Sequence, residues 1–236
     1  NVVVPTGNFG NILAAYYAKQ MGVPIKKLIC ASNANNVLTD FITSGTYDRK
    51  RSFYSTISPS MDILISSNLE RLLFLLSDMD DKLVSGWMSE LSANGKYTVS
   101  EDVFAKLSAV FEAGYCDDVA TKACIAKTYK ENGYLCDTHT AVAVDVQNAY
   151  RERTGDTTPT VIASTANPYK FSKSVLDAVK PGSCEGMDEF DMVLKLHEET
   201  GTDCPPQLAN LKGKTPRFTS CCKKEDMEQV VFDMLK

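Results

Sequence analysis

Two glycines three residues apart, Gly7 and Gly10, with Asn8, Phe9 and Asn11 around them, mark the stretch of this chain best suited to chemistry. They lie between a β-branched run, Val2-Val3-Val4, and an alanine-rich stretch from Ile12 to Ala18, a strand–loop–helix pattern. Without a Cβ in the way, such a loop brings its backbone close to a ligand. The helix after it offers unpaired N–H groups and a partial positive charge, which suit a phosphate. The spacing is neither a dinucleotide fingerprint nor a Walker loop, because no Gly-Lys-Ser/Thr follows. Two readings stand on the residues alone: a phosphate cradle, and a tight turn that packs helix on sheet.

Other reactive side chains are sparse. Of two histidines, His139 opens a helix and His197 lies on a polar helical stretch that reads as surface. Eight cysteines are scattered, with one vicinal pair, Cys221-Cys222, and no two-residue spacing. That pattern argues against a metal site and against a disulfide scaffold, and favours reduced thiols in a cytoplasmic protein. A net charge of −5 supplies no basic field for nucleic acid or an anionic membrane. The basic runs Lys26-Lys27, Arg49-Lys50-Arg51 and Lys223-Lys224 are short enough to be solvated surface. No apolar run reaches the ~18 residues of a membrane span, and no signal peptide is visible. The chain opens inside an apolar strand without an initiator Met, which predicts a longer parent.

At 236 residues the chain can bury a substantial core. Lys27 to Ala31 reads as a second strand, so a parallel pair with a crossover helix is expected. Ser32 to Asn36 then forms a polar turn at that strand's carboxyl end, where ligands of open parallel sheets sit. Val37 begins a helix ending near Gly45. Ser52 to Ile57 is β-rich. From Asp62 the pattern is helical, with Ile65, Leu69, Leu72, Leu73 and Leu76 as one buried stripe. Residues 77–132 read as a helical insertion, poor in strand signals; simple continuation of the same layer stands beside that reading. A helix follows from Ala141, then a buried strand from Thr160 to Ser164, and a helix begun by Pro168. Residues 181–236 read as a C-terminal helical segment whose last helix lines up Met227, Val230, Val231, Met234 and Leu235. The expected organisation is an α/β domain with a mostly parallel sheet over 1–76 and 133–180, the insertion, and the C-terminal segment.

Four stretches in order resemble threonine synthase of the longer microbial type. They are Thr6-Gly7-Asn8-Phe9-Gly10-Asn11, Ser58-Pro59-Ser60-Met61-Asp62-Ile63 with Ser66-Ser67-Asn68-Leu69-Glu70-Arg71, Asp137-Thr138-His139-Thr140-Ala141-Val142, and Ser164-Thr165-Ala166-Asn167-Pro168-Tyr169-Lys170-Phe171. Thr138 stands where the motif often has proline, and Asn167 where it commonly has His or Ser. The resemblance implies the carboxy-terminal part of a fold-type II (tryptophan synthase β-like) enzyme that uses pyridoxal 5'-phosphate (PLP). It assigns the phosphate of PLP to Gly7, Asn8, Phe9, Gly10 and Asn11, and the ring nitrogen to Thr165. On the residues alone Thr165 would instead cap the helix entered at Pro168.

The implied reaction turns O-phospho-L-homoserine and water into L-threonine and phosphate. Substrate-binding candidates are Ser58, Ser60, Asn68, Arg71, His139 and Lys170. Turn and exposed-helix roles remain open for the first four, and a capping or core role for His139. Lys170, a cation in a first helical turn, is easier to explain beside an anion. The family's Schiff-base lysine lies upstream of the phosphate loop, so this chain alone is expected to be inactive, and the face left by the missing N-terminal half is expected to drive self-association. The alternatives are a threonine or serine dehydratase, which would usually show a longer glycine run, and a non-catalytic phosphate-binding or assembly module.

Overall fold

In the computed structural model, which describes residues 1–236, a four-stranded parallel sheet carries the fold. Its strands are β1 (Val2–Pro5), β2 (Leu28–Ser32), β5 (Phe111–Tyr115) and β6 (Val161–Ile162), in the order β5-β2-β1-β6. Val2 pairs with Leu28 and with Val161, and Leu28 with Phe111. Because side chains alternate along a strand, a sheet buried on both faces needs a continuous apolar run. β1 and β2 supply it. Val4, Leu28 and Cys30 point into a 24-residue core, while Val3, Ile29 and Ala31 point into a nine-residue core on the opposite face.

The larger core is closed by α1 (Gly10–Gln20), α2 (Val37–Ser44), α3 (Leu69–Leu76), α4 (Asp81–Asn94) and α5 (Glu101–Val110). The helix α7 (Thr138–Thr154) covers the other face through Val142, Ala143, Val146 and Tyr150. A third core of 12 residues joins α6 (Asp118–Asn132), α8 (Ser172–Val179) and α9 (Glu189–Thr200). Two short helices end the chain, α10 (Pro206–Ala209) and α11 (Met227–Met234). No helix is long and apolar enough to cross a membrane.

Several expectations are corrected. The segment 77–132 is mostly helical but also supplies β5, hydrogen-bonded to β2, so the main sheet runs through it. The β-rich stretch 52–57 forms no strand. Instead β3 (Thr46–Asp48) pairs antiparallel with β4 (Lys96–Thr98), held by Tyr47 stacked on Tyr97 with centroids 5.5 Å apart. Helix α3 starts at Leu69, leaving Ile65 outside the stripe and 48% exposed. The strand expected at 160–164 shrinks to two residues on the sheet edge, where Val161 is 66% exposed. The apolar face expected for the last helix is not buried: Val230 is half-buried and the rest of α11 is exposed.

Candidate active site

The loop between β1 and α1 lies at the carboxyl ends of the strands, as an open parallel sheet predicts for a ligand site. Its peptide planes are fixed from behind. Ser66 Oγ donates to the Gly7 carbonyl at 2.8 Å, and Asn68 donates to the Asn8 carbonyl through its backbone N–H (3.2 Å) and its Nδ2 (2.7 Å). A peptide's N–H points away from its C=O. Pinning these two carbonyls therefore turns the N–H groups of Asn8 and Phe9 the other way. The Phe9 carbonyl accepts the Leu13 N–H at 3.1 Å, which starts α1. None of the backbone N–H groups from Gly7 to Ile12 finds a partner within the protein. A row of free amides at a helix N-terminus is an anion site.

Two features fix the loop's shape. Phe9 adopts a left-handed conformation (φ 63°), unusual for a bulky side chain, and its ring is buried 5.7 Å from that of Phe111. A Cβ on Gly7 would stand 2.9 Å from the Ser60 carbonyl oxygen and 3.1 Å from the Met61 Cα, so the loop and the 58–61 turn touch backbone to backbone.

These amides line a cavity of about 290 Å³, whose walls include all of residues 7–11 and also Ser60, Met61, His139, Thr165, Lys170 and Phe171. The structure thus gathers into one cavity the six residues expected at the cofactor and three of the six expected at the substrate. Ser58, Asn68 and Arg71 lie outside its walls. Ser58 is buried, its hydroxyl within 3.2 Å of both Asn33 Nδ2 and Thr56 Oγ1. Asn68 is committed to the Asn8 carbonyl and accepts from Arg71 at 2.8 Å, which makes this pair a brace for the loop.

Thr165 lines the cavity with its hydroxyl unbonded, and the cap of the following 3₁₀ turn, Pro168–Phe171, is Asn167, which accepts from the Tyr169 N–H at 3.0 Å. That removes the capping role for Thr165. Lys170 sits in this turn rather than in an α-helix, its Nζ 5.9 Å from the Phe171 ring centroid. His139 is buried against Phe171, centroids 4.8 Å apart, and its Nε2 accepts the Ser60 N–H at 3.2 Å.

Sequence reasoning passed over Asp137, although a carboxylate just before a helix is a cap signal. It is buried, and it caps α7 by accepting the N–H groups of His139 (2.8 Å) and Thr140 (3.2 Å). Burial alone would push its carboxyl upward; the hydrogen bonds from the His139 and Thr140 side chains and backbone outweigh that and hold it below the usual carboxylate range. A carboxyl depressed by folding contributes stability above its unfolded pKa and loses it as pH falls through the folded value. Asp137→Asn should therefore lower stability at neutral pH, and the gap from the wild type should narrow in acid below the usual carboxylate range. Urea unfolding across that range checks it.

Set beside known proteins, the geometry falls in the fold-type II class of PLP enzymes. The structure superposes on PLP-bound threonine synthase from Brucella melitensis (TM-score 0.71, 44% identity, 75% of this chain, 37% of that one) and on yeast threonine synthase (TM-score 0.84, 33% identity, 99% and 47%). Residues 140–231 match the family model "Threonine synthase, C-terminal". Human threonine synthase-like 1 is 46% identical over 181 residues, and threonine synthase of Saccharomyces cerevisiae 40% over 191. The chain is a homologue of the threonine synthases and aligns with their carboxy-terminal part. It spans 24% of the human relative's length and 37% of the yeast one's.

Proposed function

We propose that the cavity holds PLP, its phosphate on the free amides of residues 7–12 and its ring nitrogen at Thr165, and that it serves the threonine synthase reaction on O-phospho-L-homoserine. The observation that carries this reading is the unpartnered row of amides facing a cavity that also holds Thr165 and Lys170. The residues fit the group: a dianion is met by backbone donors at the start of α1, and the absence of a Cβ at Gly7 lets the 58–61 turn close against the loop that presents them. Thr165 offers a neutral hydroxyl that can donate to an unprotonated pyridine nitrogen. When bound, PLP supplies an electron sink for substrate carbanions.

The side chains of this chain then bind and orient. Lys170 brings a positive charge to the rim of the cavity and would attract the phosphate of the substrate. Ser60 lines the same cavity, and the buried His139 accepts its N–H and fixes the turn that carries it. Ser66, Asn68 and Arg71 hold the phosphate loop from outside, a positioning task in place of substrate contact for Asn68 and Arg71. Lys170 is the lysine lining the cavity, and we assign it to substrate phosphate; the lysine that carries the cofactor is expected upstream in the parent. The chain by itself should bind PLP reversibly and should not turn over phosphohomoserine. The exposed apolar side chains of α11, Met227, Val231, Phe232 and Met234, lead us to expect self-association, read by light scattering.

The test is titration of the chain with PLP, followed by borohydride. Saturable binding that inorganic phosphate displaces, without a stable lysine adduct, is expected. Absence of binding, or turnover of phosphohomoserine by the chain alone, would contradict the reading. Thr165→Val should leave stability within ~0.5 kcal/mol, since the hydroxyl has no protein partner. The same substitution should change the absorbance of bound PLP; an unchanged spectrum would remove Thr165 from the ring nitrogen.

A further inference from the structure

We infer that Asp137 is a positioning residue that ties two separate walls of the cavity together, one through each carboxylate oxygen. The inference rests on the PLP reading for its functional meaning and on hydrogen-bond geometry for its substance.

A helix N-cap needs one acceptor. Asp137 Oδ1 meets that need with the His139 and Thr140 N–H groups, and it also lies 3.4 Å from His139 Nδ1. The far ring nitrogen, Nε2, accepts the Ser60 N–H, so a neutral ring carries its proton on Nδ1, which has the Asp137 carboxylate at 3.4 Å and the Thr138 hydroxyl at 3.3 Å. Through this relay Asp137 holds the turn that carries Ser60 and Met61 and that touches Gly7 backbone to backbone. Oδ2 has a different partner. It accepts the hydroxyl of Thr140, and Thr140 Oγ1 lies 3.2 Å from Ser164 Oγ. Thr140 thereby brings its hydroxyl against Ser164, the residue next to Thr165. The Tyr134 hydroxyl lies 3.3 Å from the same Ser164 Oγ.

Asp137, His139 and Thr140 are all buried, so the bonds among these three form in a low-dielectric setting where each is stronger and a missing partner is costly, while Ser164 at the end of the second arm is exposed. One carboxylate therefore orders the 58–61 turn on one side and the 164–165 segment on the other. A residue that only capped the helix would need neither link.

The discriminating substitution is Asp137→Ser, which keeps a cap acceptor and cannot reach both walls. In hydrogen–deuterium exchange of the 236-residue chain without ligand, the amides of Ser60 and Ala163, bonded to His139 Nε2 and to the Val3 carbonyl, should exchange about ten-fold faster, while the interior of α7 stays protected. PLP affinity should fall at least ~10-fold, about 1.4 kcal/mol. Full rescue by serine at both walls would overturn the inference and leave a cap alone. If Asp137→Ser does not fold, Thr140→Val and His139→Gln read the arms separately. The first should loosen only Ala163 and the second only Ser60; no local change in either would overturn it. Failure of the wild-type chain to bind PLP, with the exchange pattern as expected, would sink the cofactor reading and sustain the positioning role.

Discussion

Gly7→Val should cut the affinity of this chain for PLP at least ~100-fold, about 2.7 kcal/mol, the largest binding effect expected from any single substitution in it. The reason is steric and local. The first carbon of any side chain at position 7 would meet the Ser60 carbonyl oxygen at 2.9 Å and the Met61 Cα at 3.1 Å. Both are backbone atoms, so no flexible side chain can swing aside. Either the phosphate loop or the 58–61 turn must move, and both are cavity walls. Because overpacking costs ~1–3 kcal/mol, the protein should stay folded, and loss of binding can be told apart from loss of structure. Calorimetric titration with PLP beside thermal unfolding makes the distinction. Affinity within two-fold of the wild type would mean that the loop does not form the site.

Phe9→Ala should give the largest loss of stability among loop substitutions, ~3–5 kcal/mol. The ring is 1% exposed and shares a cluster with Phe111 and Tyr16, each 5.7 Å from Phe111. Its left-handed backbone costs roughly 1–2 kcal/mol, which only a well-filled ring pocket can offset. Alanine keeps that strain and abandons the pocket. Against a total stability of ~5–15 kcal/mol this is a severe change, worth roughly 6–20 °C in melting temperature for a chain of this size. Urea unfolding checks it, and a loss below ~1 kcal/mol would show that the ring does not anchor the loop.

The parts of this architecture that are local in sequence were legible in it. β1, the glycine loop and α1 follow one another within 20 residues, so apolar run, turn and helix can be read together. The alternation of β1 and β2 between two cores is visible as unbroken apolar runs. What stayed hidden depends on distant partners. Tyr47 and Tyr97 stack across 50 residues of chain, and neither three-residue strand is long enough to show a period. β5, Phe-Glu-Ala-Gly-Tyr, has no β-branched residue and directly follows α5, whose apolar spacing runs on into Phe111. Its Gly114 makes sense only in three dimensions: a Cβ there would come within 2.9 Å of Val146 on α7.

The same division holds at the site. Residues 7–11, Thr165 and Lys170 could be placed from ordered motifs, and they do line one cavity. The tasks of Ser66 and Asn68 could not be read, because their partners Gly7 and Asn8 are remote in sequence, and the reach of Asp137 beyond its cap depends on the contacts of His139 and Thr140 with the equally remote Ser60 and Ser164. Polar side chains that brace a backbone look the same in sequence as polar side chains that bind a ligand. Only the direction of their hydrogen bonds separates the two.

The most direct test of the central claim is the backbone amide spectrum of the chain titrated with PLP and, separately, with pyridoxal, which lacks the phosphate. PLP should shift the amides of residues 7–12 together with Thr165, and pyridoxal should leave residues 7–12 largely unmoved. Shifts confined to other surfaces, or an equal response of residues 7–12 to both compounds, would contradict the claim that these amides hold a phosphate.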